Sequence, residues 1–106
     1  MKEVTLQNYN RLFWGIATNY DVSNDNILRK IIHSFSVAEK CFSIASSLHL
    51  NKKQRQLCYF VGLFHDIGRF EQWKKYQTYN DKISENHGFL SAKMMEEIVL
   101  NCILYL

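Results

Sequence analysis

Residues 61–72 read VGLFHDIGRFEQ. In this run an apolar helical segment leads into the pair His65 and Asp66, and Gly68 follows. The apolar side chains stop at His65 and Asp66, which predicts that a helix ends there. Gly68 follows two residues later, and a glycine after the last periodic residue is a common helix stop. We therefore predict a helix that ends near His65 and Asp66, with its stop supplied by Gly68.

The chain on both sides of this run is also predicted to be helical. It has no proline and only four glycines, fewer interruptions than a strand-and-turn protein needs. Apolar residues recur at three- and four-residue steps, and residues that can cap a helix precede the second and third runs: Ser23, Asn24, Asp25 and Asn51. We predict one all-α domain over residues 1–106, a bundle of about five helices near 5–20, 26–48, 51–66, 69–76 and from Ser84–His87 onward.

Charge and composition argue against several classes of protein. The formal net charge is +3 with Lys and Arg spread along the chain, whereas nucleic-acid binders usually carry a basic stripe interleaved with aromatic residues. No apolar run reaches the roughly 18 residues of a membrane span, and no signal-peptide pattern begins the chain. We expect a cytoplasmic protein with no membrane or nucleic-acid partner, whose mild positive charge suits a phosphate-containing small molecule. The three cysteines form no paired motif and are predicted to be buried free thiols: Cys41, Cys58 and Cys102.

His65 and Asp66 are candidates for a metal site. Adjacent helical residues point about 100° apart, so this pair can bracket one ion from the end of a single helix. His33, beside the apolar face of the preceding helix, would supply a third ligand. Two imidazoles and a carboxylate suit Mn, Fe, Co, Ni or Zn. The alternative is that each histidine is an ordinary core or surface residue, which is the commoner case for a lone helical histidine.

Three stretches resemble the HD superfamily of metal-dependent phosphohydrolases, whose pattern is a His on one helix, a His-Asp pair on the next and a later Asp. They are IHSFSVA at 32–38, VGLFHDIGRFEQ at 61–72 and TYNDKISENHG at 78–88, and the similarity covers about residues 26–95. The resemblance implies an all-α HD-domain-like fold. It also implies a divalent ion (Mn, Fe, Co, Ni, Zn or Mg) that activates water against a phosphate ester.

The resemblance carries over to individual residues. His33, His65 and Asp66 match the family's metal ligands. Asp66 would be the carboxylate that bridges two ions if the site is dinuclear, which makes it a candidate catalytic residue as well. His87 matches a position that supplies a further ligand in dinuclear relatives, although Asn86 stands where an Asp is common.

Arg69 is the second candidate catalytic residue, because a guanidinium can grip two phosphate oxygens. The alternative for Arg69 is a salt bridge on the helix surface. Glu71 either supports a ligand or pairs with Lys74 or Lys75 one turn later. Asp81 lies in a polar loop, and a turn or capping role is favoured there over a chemical one.

The family's last metal-binding Asp has no counterpart, since no Asp follows Asp81. Glu96 and Glu97 are the only later carboxylates, and we predict that they face solvent. The simplest expectation is that the chain lacks the family's final helix. Two hypotheses follow: a phosphohydrolase acting on a nucleotide or related phosphate ester, and a non-catalytic, truncated or degenerate HD domain that binds a metal, a nucleotide or a partner.

The apolar C-terminal run predicts a homo-oligomer. A run this apolar needs cover, so either another chain covers it or a natural C-terminal part is missing. We expect the last helix to pair with a second copy, as in a dimer. The residues concerned are Leu100, Ile103, Leu104 and Leu106.

Overall fold

The computed structural model describes residues 4–104, without the side chains of residue 99 and residues 101–104. Within this range it contains no strand. The prediction of an all-α bundle of about five helices is confirmed, because the described chain forms these elements: α1 (Val4–Ala17), α2 (Asp25–Ser47), α3 (Lys52–Phe64), α4 (Gly68–Tyr76) and α5 (His87–Leu104).

Side chains that accept hydrogen bonds from free backbone N–H groups fix where α2 and α3 begin. Asn24 accepts from the N–H groups of Asn26 (2.8 Å) and Ile27 (3.4 Å), so it is the residue of the 23–25 segment that caps α2. At α3, the Asn51 side chain accepts from the Gln54 N–H at 2.9 Å, and the Gln54 side chain accepts from the Asn51 N–H at 3.0 Å. This reciprocal pair is a capping box.

The core is centred on Phe13 of α1. Its ring meets those of Phe35, Phe64 and Phe70 edge-on, with centroids 5.2, 5.7 and 5.9 Å apart. Edge-to-face contact is a favoured geometry for aromatic rings. One side chain of α1 therefore ties together α2, α3 and α4. The other buried members of this core are Leu6, Ala17, Ile27, Ile31, Ala38, Tyr59, Leu63 and Ile67.

Close packing of α2 on α3 positions the candidate site. A Cβ on Gly62 would lie 2.9 Å from the Cys41 Sγ and 3.0 Å from the Ala38 Cα, so only glycine lets the two helices approach this closely. Helix α4 packs against both α2 and α5. As a result the short turn between α3 and α4 lies where the other helices converge.

Gly68 does not supply the stop of α3, and this part of the sequence prediction is wrong. No glycine in the described range has a positive φ, and Gly68 is instead the first residue of α4. Its N–H donates to the Ser91 Oγ at 2.7 Å, and a Cβ would collide with the backbone of His87 and Ser91. Gly68 is needed because α4 and the start of α5 touch there.

Two expectations from composition can be compared with the fold. Cys41 and Cys58 are unpaired, as predicted, but half-buried rather than fully buried. The Cys102 side chain lies outside the described residues. Among the helices of the described chain, none combines the length and the apolar character that crossing a bilayer requires.

Candidate metal centre

The candidate site draws on three elements. His33 lies in the middle of α2, and His65 and Asp66 occupy the turn that joins α3 to α4. His87 is the first residue of α5. The sequence places these residues up to 54 positions apart, from 33 to 87, and the packing of α2, α3 and α5 brings them together.

Asp66 is the centre of the group and is largely buried. Its Oδ2 lies 3.3 Å from the His33 Nε2 and 3.4 Å from the His65 Nε2. Its other oxygen, Oδ1, lies 3.4 Å from the His87 Nε2. His33, His65 and Asp66 each offer one ligand atom, and these atoms all lie within 4.8 Å of one another. Their predicted convergence is confirmed, while their role as ligands stays a prediction.

Hydrogen bonds on the far side of two rings determine what faces Asp66. The His65 Nδ1 lies 2.7 Å from the Gly62 carbonyl oxygen, and the His87 Nδ1 lies 2.9 Å from the Asp81 Oδ2. Carbonyl and carboxylate oxygens only accept hydrogen bonds, so Nδ1 carries the proton in both rings. In the neutral form of each ring, Nε2 then presents a lone pair toward Asp66.

This arrangement sets nitrogen lone pairs against carboxylate oxygens, all of them acceptors. They repel one another unless a proton or a cation lies between them. The separations of 3.3 and 3.4 Å exceed the usual N–H···O distance of about 2.9 Å. Two ligands held about 2.1 Å from one tetrahedral ion lie about 3.4 Å apart. The donor set and its spacing thus fit a divalent metal ion.

The electrostatic environment favours the ligand form of His33. Burial lowers the pKa of this imidazole below its ordinary value of 6.5, and the positive charges of Lys30 and Lys40 act in the same direction. Asp66 opposes this effect. A neutral imidazole is the form that binds a metal, so at neutral pH His33 is ready to serve as a ligand.

Lys30 stands beside the cluster, and the sequence reasoning did not single it out. Its Nζ lies 4.0 Å from the Asp66 Oδ2 and 5.2 Å from the centre of the Tyr79 ring. The signal available in the sequence was the spacing of three residues from His33, which places the two side chains on neighbouring parts of one helix.

Arg69 is held by the loop that follows α4. Its Nη1 donates to the Gln72 Oε1 and to the Tyr79 carbonyl, both at 2.8 Å, and lies 3.6 Å from the Asp81 Oδ1. The salt bridge weighed from the sequence is therefore present, with Asp81 as its partner. The Arg69 Nε is buried and has no hydrogen-bond partner among the described residues. Contact with phosphate stays a prediction for this residue.

Asp81 has a larger part in the site than the sequence indicated. The predicted capping role is confirmed, because its Oδ1 accepts from the His87 N–H at 2.9 Å at the start of α5. The same carboxylate also accepts from the His87 ring and from the Gln72 side chain. Sequence reasoning missed this support of a candidate ligand, since nothing in a spacing of six residues across an irregular loop predicts it.

The remaining acidic candidates lie away from Asp66. Glu71 accepts a hydrogen bond from the Tyr20 hydroxyl at 2.7 Å and lies 3.9 Å from the Lys75 Nζ, so the pairing predicted as one of its two roles is present. Glu96 and Glu97 are exposed on α5, as predicted.

Comparison with known families agrees with this geometry. The family model for the HD domain matches residues 31–104, a range that contains His33, His65, Asp66 and His87. No curated protein and no solved structure matches the chain. Since the matched range covers more than half of the sequence, the chain belongs to the HD domain family.

Proposed function

We propose that this protein is a metal-dependent phosphohydrolase that acts on a nucleotide or a related phosphate ester. The observation that carries the proposal is the convergence of three imidazole Nε2 atoms on the two oxygens of Asp66 at 3.3–3.4 Å, a donor set and spacing that suit a shared cation. Membership of the HD domain family supports the cation.

In this proposal His33, His65 and Asp66 hold a divalent ion, which is Mn, Fe, Co, Ni, Zn or Mg. A bound ion of this kind lowers the pKa of water and stabilises charge on a phosphoryl group. Asp66 presents one oxygen to His33 and His65 and the other to His87, an arrangement able to serve a second ion. His87 is the proposed further ligand, with Asp81 orienting its ring.

Arg69 is the proposed phosphate contact from the protein side. Its buried Nε lacks a partner within the described residues, while its Nη1 is anchored to the loop after α4. An anchored guanidinium loses little conformational freedom when it binds an anion, which suits a positioning role.

A second candidate function is a non-catalytic HD domain that binds a metal or nucleotide without turnover. It is favoured by the donor set: among the described residues, the candidate group of His33, His65 and Asp66 holds a single carboxylate, and Glu96 and Glu97 are exposed on α5. Fewer carboxylates at the centre mean weaker binding of an ion and less control of its water.

The test begins with the metal content of the purified protein. Phosphatase assays on a panel of nucleotides, with Mn²⁺ or Co²⁺ added, then measure turnover in the wild type, in His65→Ala and in His49→Asn. His49 is the matched control, because it is an exposed histidine at the end of α2 whose left-handed backbone (φ 57°) asparagine tolerates.

We expect His65→Ala to lose most of its metal and all metal-stimulated turnover, and His49→Asn to behave as the wild type. Bound metal without turnover on any substrate of the panel would favour the non-catalytic candidate. A His65→Ala variant that keeps both metal and activity would overturn the site.

A further inference from the structure

One positively charged side chain at the candidate centre, Lys30, has no role in the proposed function. Lys30 lies one helical turn before His33 on α2, and its Nζ is 4.0 Å from the Asp66 Oδ2. The same Nζ stands over the Tyr79 ring at 5.2 Å from its centre. The side chain is 21% exposed, so its charge lies at the mouth of the site and not in open solvent.

Support of the metal ligands does not by itself explain a lysine at this position. An ammonium group and a divalent ion that share one carboxylate repel each other over a few ångströms. Lys30 also adds to the positive field that lowers the pKa of His33. An anion that lies between the ammonium group and the ion would offset this repulsion, because it attracts both positive charges.

Asp66 supplies that anion only while its oxygens are available to Lys30. If Asp66 ligates an ion, its negative charge is matched by the ion and the ammonium group needs another partner. The Tyr79 ring keeps the ammonium group at the site, because the ring face attracts a cation. Tyr79 itself is anchored, since its hydroxyl donates to the Asn26 carbonyl at 2.5 Å.

We propose that Lys30 is an anion-binding residue of this site, which takes an oxygen of the substrate phosphate when Asp66 ligates the ion. The inference rests on the proposed function. It specifies the ligand class as a phosphate monoester or inorganic phosphate lying between the ion and the ammonium group. Metal loading and phosphate binding are then coupled through Asp66, which is paired with Lys30 in one state and with the ion in the other.

The competing explanation is that Lys30 only balances the charge of Asp66 and stabilises the metal-free site. The two explanations differ in what the loss of Lys30 changes. If Lys30 only balances charge, its loss raises the affinity for metal, because the metal-free site is no longer stabilised, and leaves the affinity for phosphate unchanged. Anion binding affects the affinity for phosphate and leaves the affinity for metal equal or higher, because a repelling charge has been removed.

The experiment uses the full chain in three variants beside the wild type. Lys30→Met removes the charge and keeps a similar length, and Lys30→Arg keeps the charge. Lys53→Met is the control, because it makes the same change of net charge on the exposed first turn of α3. Lys53 lies twelve residues before His65, which is about 18 Å along a helix axis. Thermal melting by circular dichroism establishes that each variant is folded.

Calorimetric titration measures two affinities, that of each protein for Mn²⁺ and that of each Mn²⁺-loaded protein for inorganic phosphate. We expect Lys30→Met to bind phosphate roughly tenfold or more weakly, the size expected for a lost contact to a charged group. Its affinity for Mn²⁺ should be equal or higher. Lys30→Arg and Lys53→Met should bind phosphate within a few-fold of the wild type.

Equal phosphate affinity in Lys30→Met and the wild type would overturn the inference, as would a wild type that binds Mn²⁺ but no phosphate. Higher Mn²⁺ affinity with unchanged phosphate affinity in Lys30→Met would overturn it in favour of charge balancing. A wild type that binds no Mn²⁺ would overturn both this inference and the proposed function. Suppose that phosphate binding depends on Lys30 but the protein turns over no substrate. This outcome would support the inference and contradict the proposal of a phosphohydrolase.

Discussion

Asp81 accepts hydrogen bonds from both the backbone and the ring of His87. The carboxylate accepts from the His87 backbone N–H at 2.9 Å through Oδ1 and from the ring Nδ1 at 2.9 Å through Oδ2. One contact fixes where α5 begins, and the other fixes which nitrogen of the ring turns toward Asp66. A carboxylate that orients a metal-binding histidine is a common arrangement in metal sites.

Asp81→Asn tests that support. Asparagine can still cap α5 but no longer provides the negative charge that polarises the ring, so we expect metal affinity to fall roughly 10- to 100-fold with little change in helix content. Calorimetric titration with Mn²⁺ measures the first quantity and circular dichroism the second. Unchanged metal affinity would mean that His87 is not a ligand or that its orientation is fixed elsewhere.

The pKa of Asp81 predicts how the free energy of unfolding changes with pH. The backbone N–H of His87, followed by its ring and the Gln72 side chain, holds the pKa of Asp81 at about 2, against an ordinary value of 3.8. A depressed pKa stabilises the fold fully above the unfolded value and loses that effect as the pH falls toward the folded one. The free energy of unfolding should therefore differ between the wild type and Asp81→Asn at pH 6, and the difference should shrink between about pH 4 and pH 2. Chemical denaturation across this range measures it, and a constant difference would contradict the prediction.

Two glycines are expected to respond in opposite directions to alanine. Gly68→Ala places a Cβ against the backbone of His87 and Ser91, and we expect a loss of about 1–3 kcal/mol in the free energy of unfolding. Gly15 lies inside α1, and a Cβ added there would meet no atom within 4 Å, so Gly15→Ala should gain about 0.5–1 kcal/mol. Urea denaturation of both variants measures these changes, and equal effects would show that contact with α5 is not the reason for Gly68.

His33 is expected to titrate below its ordinary value in the metal-free protein. Burial is the main cause, with Lys30 contributing in the same direction, so Lys30→Met should raise the pKa of His33 relative to the wild type. The chemical shifts of the imidazole C–H protons, followed by NMR from pH 4 to 8, report this change. A wild-type midpoint at or above 6.5 would show that burial does not dominate at this ring.

Self-association through the end of α5 stays a prediction. The Leu100 side chain is 52% exposed, while those of Ile103, Leu104 and Leu106 lie outside the described residues. Light scattering should find a dimer, and Leu100→Glu should shift it toward monomer because a charge would be buried in the contact. Ile44→Glu is the matched control, since this exposed apolar residue lies on α2. A monomeric wild type would contradict the prediction.

The helices and their caps were predictable because they depend on contacts between residues that are close in sequence. Asn24 and Asn51 cap groups two or three residues ahead, a reach that a sequence pattern records directly. His33, His65 and Asp66 were also predictable, since their pattern resembles that of a known superfamily. The amino-acid sequence alone thus determined the fold class and predicted the candidate ligands, His87 included.

Tertiary structure decided the surroundings of those ligands. The support of His87 by Asp81, the anchoring of Arg69 on the Tyr79 carbonyl and the need for glycine at position 68 all depend on how α4, its loop and α5 return to the bundle. Such contacts join segments through an irregular loop whose path no periodicity encodes, so only the packed helices define them. For the same reason Lys30 gained its significance from Asp66 and Tyr79, which lie 36 and 49 residues later in the chain.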